Sequence, residues 1–285
     1  MTTAKPRVLV SDALSETAVQ IFRDNGIDVT FEPQLGKDKD KLAAMIGEFD
    51  GLAVRSATKV TEKLIEKATN LKAVGRAGIG VDNVDIKAAT ARGIVVMNTP
   101  FGNSVTTAEH AISLLLALTR EIPAADRSTQ AGEWAKSRFM GTEITGKTLG
   151  IIGYGRIGQE MARRAHHGFG MNIVVQNRSR VAPEVLAQCN ATQVDTVEDL
   201  LPQCDFVSLH CPGGAENRHL INARRLDLMK EDAFLINTAR GEVIDEWALT
   251  QALTFDTIGG AALDVFDGEP RIAPDLMQCD NLVML

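Results

Sequence analysis

The sequence predicts an α/β protein with two doubly wound parallel-sheet domains, and three observations lead to this fold class. Short apolar runs alternate with segments of helical spacing along the 285 residues, as in parallel sheets covered by helices. A long apolar helix over about 103–120 separates two such series. The second series opens with a strand that runs directly into a glycine-rich turn and another helix. We therefore predict one domain over 1–98 and a second over 99–285, with the interdomain helix near the start of the second.

Each series divides into strands and helices. Ser15 is a suitable N-cap for the first helix, and Gly26 is a suitable C-terminal stop. In the first series we predict strands over 7–11, 29–31, 51–55, 72–75 and 94–98, and helices over 15–25, 39–48, 61–68 and 86–92. After the long helix and a polar loop over 121–147, we predict strands over 149–152, 173–176, 191–194, 206–209, 233–237 and 260–265. Six strands match the count of a Rossmann nucleotide-binding domain.

Composition and charge disfavour several classes of protein. With 45% hydrophobic and 24% charged residues, the chain has the balance of an ordinary globular protein. Its net charge of −7 disfavours nucleic-acid binding, and no apolar run approaches the roughly 20 residues of a membrane span. The first residues lead straight into a strand, so no signal peptide is expected. Four cysteines without a CxxC pair indicate reduced thiols in a cytoplasmic protein and no metal site.

The glycine-rich turn is a candidate phosphate site. It has the pattern Gly153-x-Gly155-x-x-Gly158, directly after an apolar strand and at the start of a helix. The first glycine allows a tight turn, the second allows the backbone to approach a pyrophosphate, and the third allows close helix–strand packing. The free N–H groups of the helix start attract an anion. Nucleotide binding is the favoured interpretation, and a merely tight turn is the alternative.

The end of the next strand indicates which dinucleotide is bound. An acidic residue at this position accepts hydrogen bonds from the ribose 2′-hydroxyl and repels a 2′-phosphate. Here the strand ends in Asn177-Arg178-Ser179-Arg180, which contains no acidic residue. Two guanidinium groups and a hydroxyl take its place, and arginine suits the geometry of a phosphate. We predict that NADP(H) is preferred. The alternative is a solvated basic loop, with NAD(H) accepted through Asn177.

Charged residues follow two later strands. Arg240 comes after the strand that ends at Asn237, and Asp264 and Glu269 come at or after the strand over 260–265. Ligands of open α/β sheets bind beyond the carboxyl ends of the strands. There Arg240 could grip a carboxylate with two hydrogen bonds, and a carboxylate could orient a histidine acid–base. Considered singly, each of these three charged residues could instead be a solvated loop residue.

These motifs resemble those of the D-isomer-specific 2-hydroxyacid dehydrogenase family. The similar segments cover nearly all of the chain: GRAGIGVDNVD (75–85), NTPFGNSVTTAEHAI (98–112), GYGRIG (153–158), LHCP (209–212), INTARGEVIDEWAL (236–249) and GAALDVFDGEP (260–270). The resemblance implies a flavodoxin-like substrate domain and a Rossmann cofactor domain. It also implies hydride transfer between NAD(P)H and a small 2-oxo/2-hydroxy acid.

The resemblance implies roles for individual residues as well. Arg240 would bind the substrate carboxylate and carbonyl, and Glu269 would pair with a catalytic histidine. The backbone amides of Ile79 and Gly80 would help to hold the carboxylate, and Asp264 would hold the nicotinamide carboxamide. The other residues expected along the cofactor are Thr107, Gly153, Gly155, Arg156, Ile157, Gly158, Asn177, Arg178, Ser179, His210, Pro212 and Thr238.

One element of the family pattern is missing. The catalytic histidine belongs in a Pro-His pair after the strand that here reads 281–285, and a final helix would follow it. None of the five histidines replaces it by position; His110, for example, is expected to pair with Glu109 or to pack in the long helix. We expect a shortened or partly ordered chain that binds cofactor and turns over slowly or not at all, because acid–base help is worth about 10²–10⁴-fold.

The two halves of the chain resemble different members of the family. The first is similar to D-3-phosphoglycerate dehydrogenases, with Arg55, Arg76 and Arg138 expected around a substrate phosphate and Ser56 and Asn103 near them. Scattered surface arginines are the alternative. The second half is more similar to NADP-dependent glyoxylate/hydroxypyruvate reductases. The chain is therefore a possible chimera, although a recombined natural gene or an unusual reductase would have the same sequence features.

Two further hypotheses concern activity and assembly. Besides an oxidoreductase, the chain could be a catalytically impaired chimera or a dinucleotide-sensing binding protein without turnover. The family resemblance suggests a homodimer built on the long helix and the 121–147 loop, where Trp134, Phe139 and Met140 would prefer burial. Core packing within one chain would explain these three side chains equally well.

Overall fold

The computed structural model describes residues 5–285, apart from the side chain of Lys136. Residues 1–4, on which the signal-peptide prediction partly depends, lie outside the described residues. The chain divides into two compact units, Met1–Asn103 and Ser104–Leu285, and each has its own parallel sheet. The predicted fold class, two parallel-sheet α/β domains, is confirmed.

Over its described residues, 5–103, the first unit is a five-stranded sheet with four α-helices. Its elements are β1 (Arg7–Val10), α1 (Glu16–Asp24), β2 (Asp28–Phe31), α2 (Lys39–Met45), β3 (Gly51–Val54), α3 (Glu62–Lys67), β4 (Ala73–Arg76), α4 (Ile86–Ala91) and β5 (Val95–Asn98). The strand order is β2-β1-β3-β4-β5, which is the flavodoxin-like order. Each helix begins at a side-chain N-cap whose oxygen accepts a backbone N–H three residues on: Ser15, Asp38, Thr61 and Asp85.

The second unit begins with two helices and continues into a seven-stranded sheet. Its elements are α5 (Ser104–Thr119), α6 (Ile122–Gln130), β6 (Thr148–Ile152), α7 (Arg156–Phe169), β7 (Asn172–Gln176), α8 (Pro183–Ala187), β8 (Thr192–Val194), α9 (Val197–Leu200), β9 (Phe206–Leu209), α10 (Ala223–Leu226), β10 (Phe234–Asn237), α11 (Glu246–Thr254), β11 (Gly260–Leu263) and β12 (Leu282–Met284). The strand order β12-β11-β10-β9-β6-β7-β8 is the Rossmann order with one strand added beyond β11.

Apolar side chains on both faces of the second sheet hold its helices. One core cluster joins α5 and α7 to Leu149 and Ile151 of β6. The other joins α9 and α11 to Val207 and Leu209 of β9 and Leu235 of β10. The central strands β6, β9, β10 and β11 are buried almost throughout, as expected for parallel strands covered on both faces. Within residues 5–285, no helix is long and apolar enough to cross a membrane.

Two sequence predictions about this unit were wrong. The sheet has seven strands and not six, because the run 281–285, which the family resemblance marks as a strand but the count omitted, contributes β12 beside β11. The segment 121–147 is not loop throughout, because α6 occupies Ile122–Gln130. The polar composition of α6 hid its helical spacing, but Pro123 in its first turn was an available signal, since proline favours helix starts.

Candidate functional site

The register of the second sheet brings several predicted residues to one edge. The strand ends Ile152, Leu209, Asn237 and Leu263 are paired across β6, β9, β10 and β11. The next residue along each strand therefore stands in one row at the carboxyl end of the sheet: Gly153, His210, Thr238 and Asp264. We call these four residues the edge row. Ligands of doubly wound sheets bind at this end of the strands.

The glycine turn forms a cradle that side chains would fill. Gly153 has a φ of +93°, and a Cβ atom there would come within 2.6 Å of the backbone nitrogen of Cys211. A Cβ at Gly158 would overlap the carbonyl oxygen of Gly153, whereas a Cβ at Gly155 would meet open space. Gly155 is the N-cap of α7 and supplies no side-chain cap, so it leaves the first N–H groups of the helix to a ligand. These features fit a dinucleotide pyrophosphate.

A cavity of about 490 Å³ extends from this turn to the end of β7. Its lining includes Gly153, Asn177, Arg178, Ser179, Cys211, Pro212 and Glu216. The Oδ1 atom of Asn177 accepts the N–H of Tyr154 at 3.1 Å, and its Nδ2 atom donates to the hydroxyl of Ser179 at 3.1 Å. The guanidinium of Arg178 lies 2.6 Å from Glu216, and both side chains are well exposed. The basic loop is therefore built around the cavity, and its first arginine is paired with a carboxylate.

Two groups of the edge row have unusual environments. Desolvation lowers the pKa of His210 to about 4, so its ring is neutral at neutral pH, and its Nε2 atom lies 2.9 Å from the hydroxyl of Ser208. The hydroxyl oxygen of Thr238 is buried and has no hydrogen-bond partner among the described residues. A buried polar atom without a partner costs stability, so its presence at this edge fits a ligand that would bond to it.

Arg240 is held by the chain that leaves β10. The side-chain amide of Asn237 donates to the carbonyl of Arg240 at 2.9 Å and accepts the N–H of Ala239 at 3.0 Å. Nη1 of Arg240 donates to the carbonyl of Ala239 at 2.6 Å. A Cβ at the next residue, Gly241, would overlap backbone atoms of Phe266, so the loop after β10 is packed directly against the loop after β11.

The loop after β11 carries carboxylates that organise one another. Oε1 of Glu269 accepts the N–H of Phe266 at 2.9 Å, and Oε1 of Glu246 accepts the N–H of Asp267 at 2.5 Å. Desolvation raises the pKa of Glu246, and the charges of Asp267 and Glu269 raise it further. Arg218 balances this charge through an ion pair of 2.9 Å with Asp267. Within the described part of the chain, no group of three or more His, Cys, Asp or Glu side chains could hold a metal ion.

His110 contacts a different residue from the expected one. Its Nε2 atom lies 3.2 Å from Oδ1 of Asp264, whereas Glu109 pairs with Arg164 at 3.0 Å. The expectation that His110 pairs with Glu109 was therefore wrong, and packing within the long helix stays a prediction. Successive helical residues point about a quarter-turn apart, so Glu109 faces α7 while His110 faces the edge row.

The first unit gathers four of the predicted substrate-binding residues. A cavity of about 290 Å³ is lined by Arg55, Ser56, Arg76, Asn103 and four neighbours. The buried Asp12 carboxylate fixes the Arg55 loop by accepting the Arg55 N–H at 2.6 Å. The neighbouring loop is held by Asn98, whose Nδ2 atom donates to the carbonyl of Ile79 at 2.7 Å.

The remaining predicted residues lie elsewhere. Arg138 belongs to the second unit, where its exposed guanidinium is 3.9 Å from Glu133. Thr107 lies in the first turn of α5, while Arg156 and Ile157 lie in the first turn of α7. Gly80 follows Ile79 in the loop after β4.

Sequence reasoning missed three site residues. Glu216 and Glu246 lie in connections where the sequence shows only isolated charges, and His110 required knowledge of the helix orientation. The Pro-Gly-Gly run at 212–214 before Glu216 was the one available signal of a turn.

Comparison with known proteins agrees with this geometry. The family model for the D-isomer specific 2-hydroxyacid dehydrogenase, NAD binding domain, matches residues 112–285. A D-3-phosphoglycerate dehydrogenase of Methanocaldococcus jannaschii is 44% identical over 277 residues, which is 97% of this chain and 52% of that protein. The chain thus spans about half the length of the curated relatives that it matches.

Solved structures are similar over nearly the whole chain. A glyoxylate reductase from Paecilomyes thermophila has a TM-score of 0.89 at 31% identity, over 99% of this chain and 88% of that one. An acyclic imino acid reductase, solved in complex with NADPH and D-Arg, has a TM-score of 0.86 at 29% identity, over 98% and 88%. These matches confirm the family resemblance and the nucleotide-binding class of the second unit.

Proposed function

The chain belongs to the D-isomer specific 2-hydroxyacid dehydrogenase family, and on this premise we propose that it transfers a hydride between a nicotinamide dinucleotide and a small 2-oxo/2-hydroxy acid. The observation that carries the proposal is the edge row beside Arg240. The register of four strands lines up a glycine cradle, a neutral histidine, an unpartnered hydroxyl and a carboxylate, next to a fixed guanidinium.

The cofactor supplies the hydride carrier, and the residues of the chain would bind and orient the cofactor and the substrate. The glycine turn and the first N–H groups of α7 would hold the diphosphate, while Thr238 and Asp264 would hold the nicotinamide end. Arg240 grips the substrate carboxylate and stabilises charge on the neighbouring carbonyl oxygen. Glu269 would pair with the histidine that the family resemblance expects as the proton donor to that oxygen.

Hydride transfer is tested with the reduced cofactor and three acceptors: phosphohydroxypyruvate, hydroxypyruvate and glyoxylate. The protein is used at a concentration close to that of the cofactor, so that a slow step is still seen as loss of cofactor absorbance. We expect loss with at least one acceptor and none with Arg240→Ala, while Arg163→Ala on the exposed face of α7 matches the unchanged protein. Equal rates for all three proteins would refute the assignment of Arg240.

We also propose that NADP(H) is preferred over NAD(H). Arg178 at the cavity mouth and the hydroxyl of Ser179 offer donors to a 2′-phosphate, and no acidic residue ends β7. The phosphate would compete with Glu216 for the Arg178 guanidinium. Calorimetric titration should show about tenfold tighter binding of NADPH than NADH, and Arg178→Ala should remove this difference while Arg163→Ala keeps it. Tighter NADH binding that Arg178→Ala leaves unchanged would overturn the preference.

For the substrate we propose the 3-phosphoglycerate/phosphohydroxypyruvate pair, with glyoxylate/hydroxypyruvate as the second candidate. The cavity with Arg55 and Arg76 supports a phosphate-bearing acid, as does the 44% identity to a D-3-phosphoglycerate dehydrogenase. In the protein saturated with cofactor, Arg55→Ala should weaken the binding of phosphohydroxypyruvate far more than the binding of hydroxypyruvate. The control is Arg7→Ala, which changes an arginine of the same unit that pairs with Glu48 and should weaken the binding of neither acid. Equal weakening of both acids would favour the second candidate. The suggestion of a chimera stays a prediction.

The same proposal includes a cytoplasmic homodimer. Trp134 and Met140 are 88% and 77% exposed, and side chains of this size are usually buried on assembly. All four cysteines are free thiols, which suits a reducing compartment. Light scattering should give twice 30.7 kDa, and Trp134→Ser should shift the equilibrium toward monomer. A monomer at every concentration would refute the dimer.

A further inference from the structure

The contact between His110 and Asp264 joins a helix to the edge row. Nε2 of His110 lies 3.2 Å from Oδ1 of Asp264, and the side chains are 37% and 38% exposed. The contact is therefore neither sealed in the core nor free in solvent. It involves the edge-row carboxylate that the proposed function assigns to the nicotinamide carboxamide.

The backbone fixes both ends of this contact. The N–H of Asp264 donates to the carbonyl of Asn237 at 3.0 Å, so the Cα of Asp264 is tied to the neighbouring strand. On α5, His110 comes one turn after Thr107, and residues three apart share a face. That face therefore carries two polar side chains, and His110 is the one that reaches Asp264 at the edge of the sheet.

Nearby charges leave the His110–Asp264 contact intact. Glu109, the neighbour of His110 in sequence, is bound to Arg164 of α7, which also holds Glu160. The adjoining ends of β10 and β12 present Asn237 and Met284, which carry no charge. Arg240 is bonded within the loop after β10: its carbonyl accepts from Asn237, and its Nη1 donates to the carbonyl of Ala239.

We propose that His110 is a positioning residue for cofactor binding. Its Nε2–H donates to Oδ1 of Asp264 and stops rotation of the carboxylate, which leaves Oδ2 as the acceptor for the amide NH₂ of the nicotinamide carboxamide. This proposal rests on the proposed function and deepens it. Without His110 the carboxylate turns freely, and ordering it on binding weakens the complex by about fivefold to tenfold.

The test compares two reduced cofactors that differ at one group. NADPH carries the carboxamide NH₂, whereas its 3-acetylpyridine analogue carries a methyl group there and cannot donate to Asp264. Calorimetric Kd values are measured for the unchanged protein, His110→Phe and His110→Gln. The Phe variant removes the donor, and the Gln variant keeps an N–H at nearly the same reach. His167→Phe, on the exposed end of α7, is the matched control.

We expect His110→Phe to weaken NADPH binding by about fivefold to tenfold. The Kd of the analogue for this variant should stay within about twofold of its Kd for the unchanged protein. His110→Gln should restore most of the NADPH affinity, and His167→Phe should change neither cofactor. Equal weakening of both cofactors, or no weakening of either, would overturn the proposal. If His110→Phe does not fold, His110→Ala is judged by the same comparison. Failure of the unchanged protein to bind either cofactor would instead refute the proposed function.

Discussion

Gly241→Ala is the substitution for which the structure makes the sharpest prediction. Gly241 is buried between Arg240 and the loop after β11, and a Cβ there would overlap the carbonyl group of Phe266 and the nitrogen of Asp267. These obstacles are backbone atoms and cannot turn aside as a side chain would. We therefore expect the variant to push the loops after β10 and β11 apart.

The cost follows from two opposing contributions. Forcing an extra methyl group into a packed interior costs about 1–3 kcal/mol, and backbone obstacles place this site at the upper end. Replacing glycine with alanine also restricts the unfolded chain, which returns about 0.4–1 kcal/mol. The free energy of unfolding should fall by about 2 kcal/mol. Binding of the 2-oxo acid should weaken more than binding of the cofactor, because Arg240 adjoins the displaced loop.

Gly168→Ala is the matched control for this prediction. Gly168 lies exposed within α7, and a Cβ there would meet nothing within 4 Å. Alanine is the better helix former, so this variant should gain about 0.5–1 kcal/mol. Urea unfolding at constant m-value measures both changes. Equal midpoints for the two variants, or a Gly241→Ala protein as stable as the unchanged one, would show that the loops are not in the contact described.

Two further predictions concern a hydroxyl and a carboxylate. Thr238→Val removes a buried hydroxyl that has no hydrogen-bond partner among the described residues, so unfolding measurements should show equal or greater stability. Calorimetry should show about tenfold weaker cofactor binding, because the hydroxyl would no longer bond to the cofactor. Unchanged affinity would mean that the hydroxyl faces no ligand. Burial alone would raise the pKa of Asp205, but the ammonium of Lys230 at 2.8 Å and the N–H of Thr148 at 2.7 Å outweigh it and hold the pKa below its ordinary value. Because the folded carboxyl binds protons less readily than the unfolded one, its contribution to stability is complete above about pH 4 and is lost as the pH falls through the folded value. Asp205→Asn should therefore be less stable at neutral pH and lose less on acidification, and parallel acid-unfolding curves for the two proteins would contradict this.

Much of the fold follows from local patterns in the sequence. Buried parallel strands appear as short apolar runs, and all eleven that we expected begin and end within two residues of the observed strands. The twelfth, β12, lies in the run 281–285 and was expected as a strand only from the family resemblance, because three half-buried residues carry little periodic signal. Helix α6 was missed because it buries little surface: of its residues, only Ser128 is buried.

The candidate site was partly predictable for a different reason. Residues that end neighbouring parallel strands share one edge, so the glycine turn, Arg240 and Asp264 could be placed there from the sequence. The contacts of His110 and Glu216 depend on helix orientation and loop path, which arise from packing across long sequence separations. Apart from the turn that the Pro-Gly-Gly run signals before Glu216, the sequence offers no local signal for those contacts. The side-chain environment that lowers the pKa of His210 is equally non-local.

The strand order of the second sheet also affects how the protein can be made. When β6 and β7 have left the ribosome, one edge of β6 still lacks its neighbour, because Leu149 pairs with Phe206 and the chain up to β9 must be synthesised first. Until then an apolar strand exposes unpaired N–H and C=O groups, which is the kind of edge that recruits other chains. The arrangement that later assembles the nucleotide site thus leaves an interval during translation in which β6 has one unpaired edge.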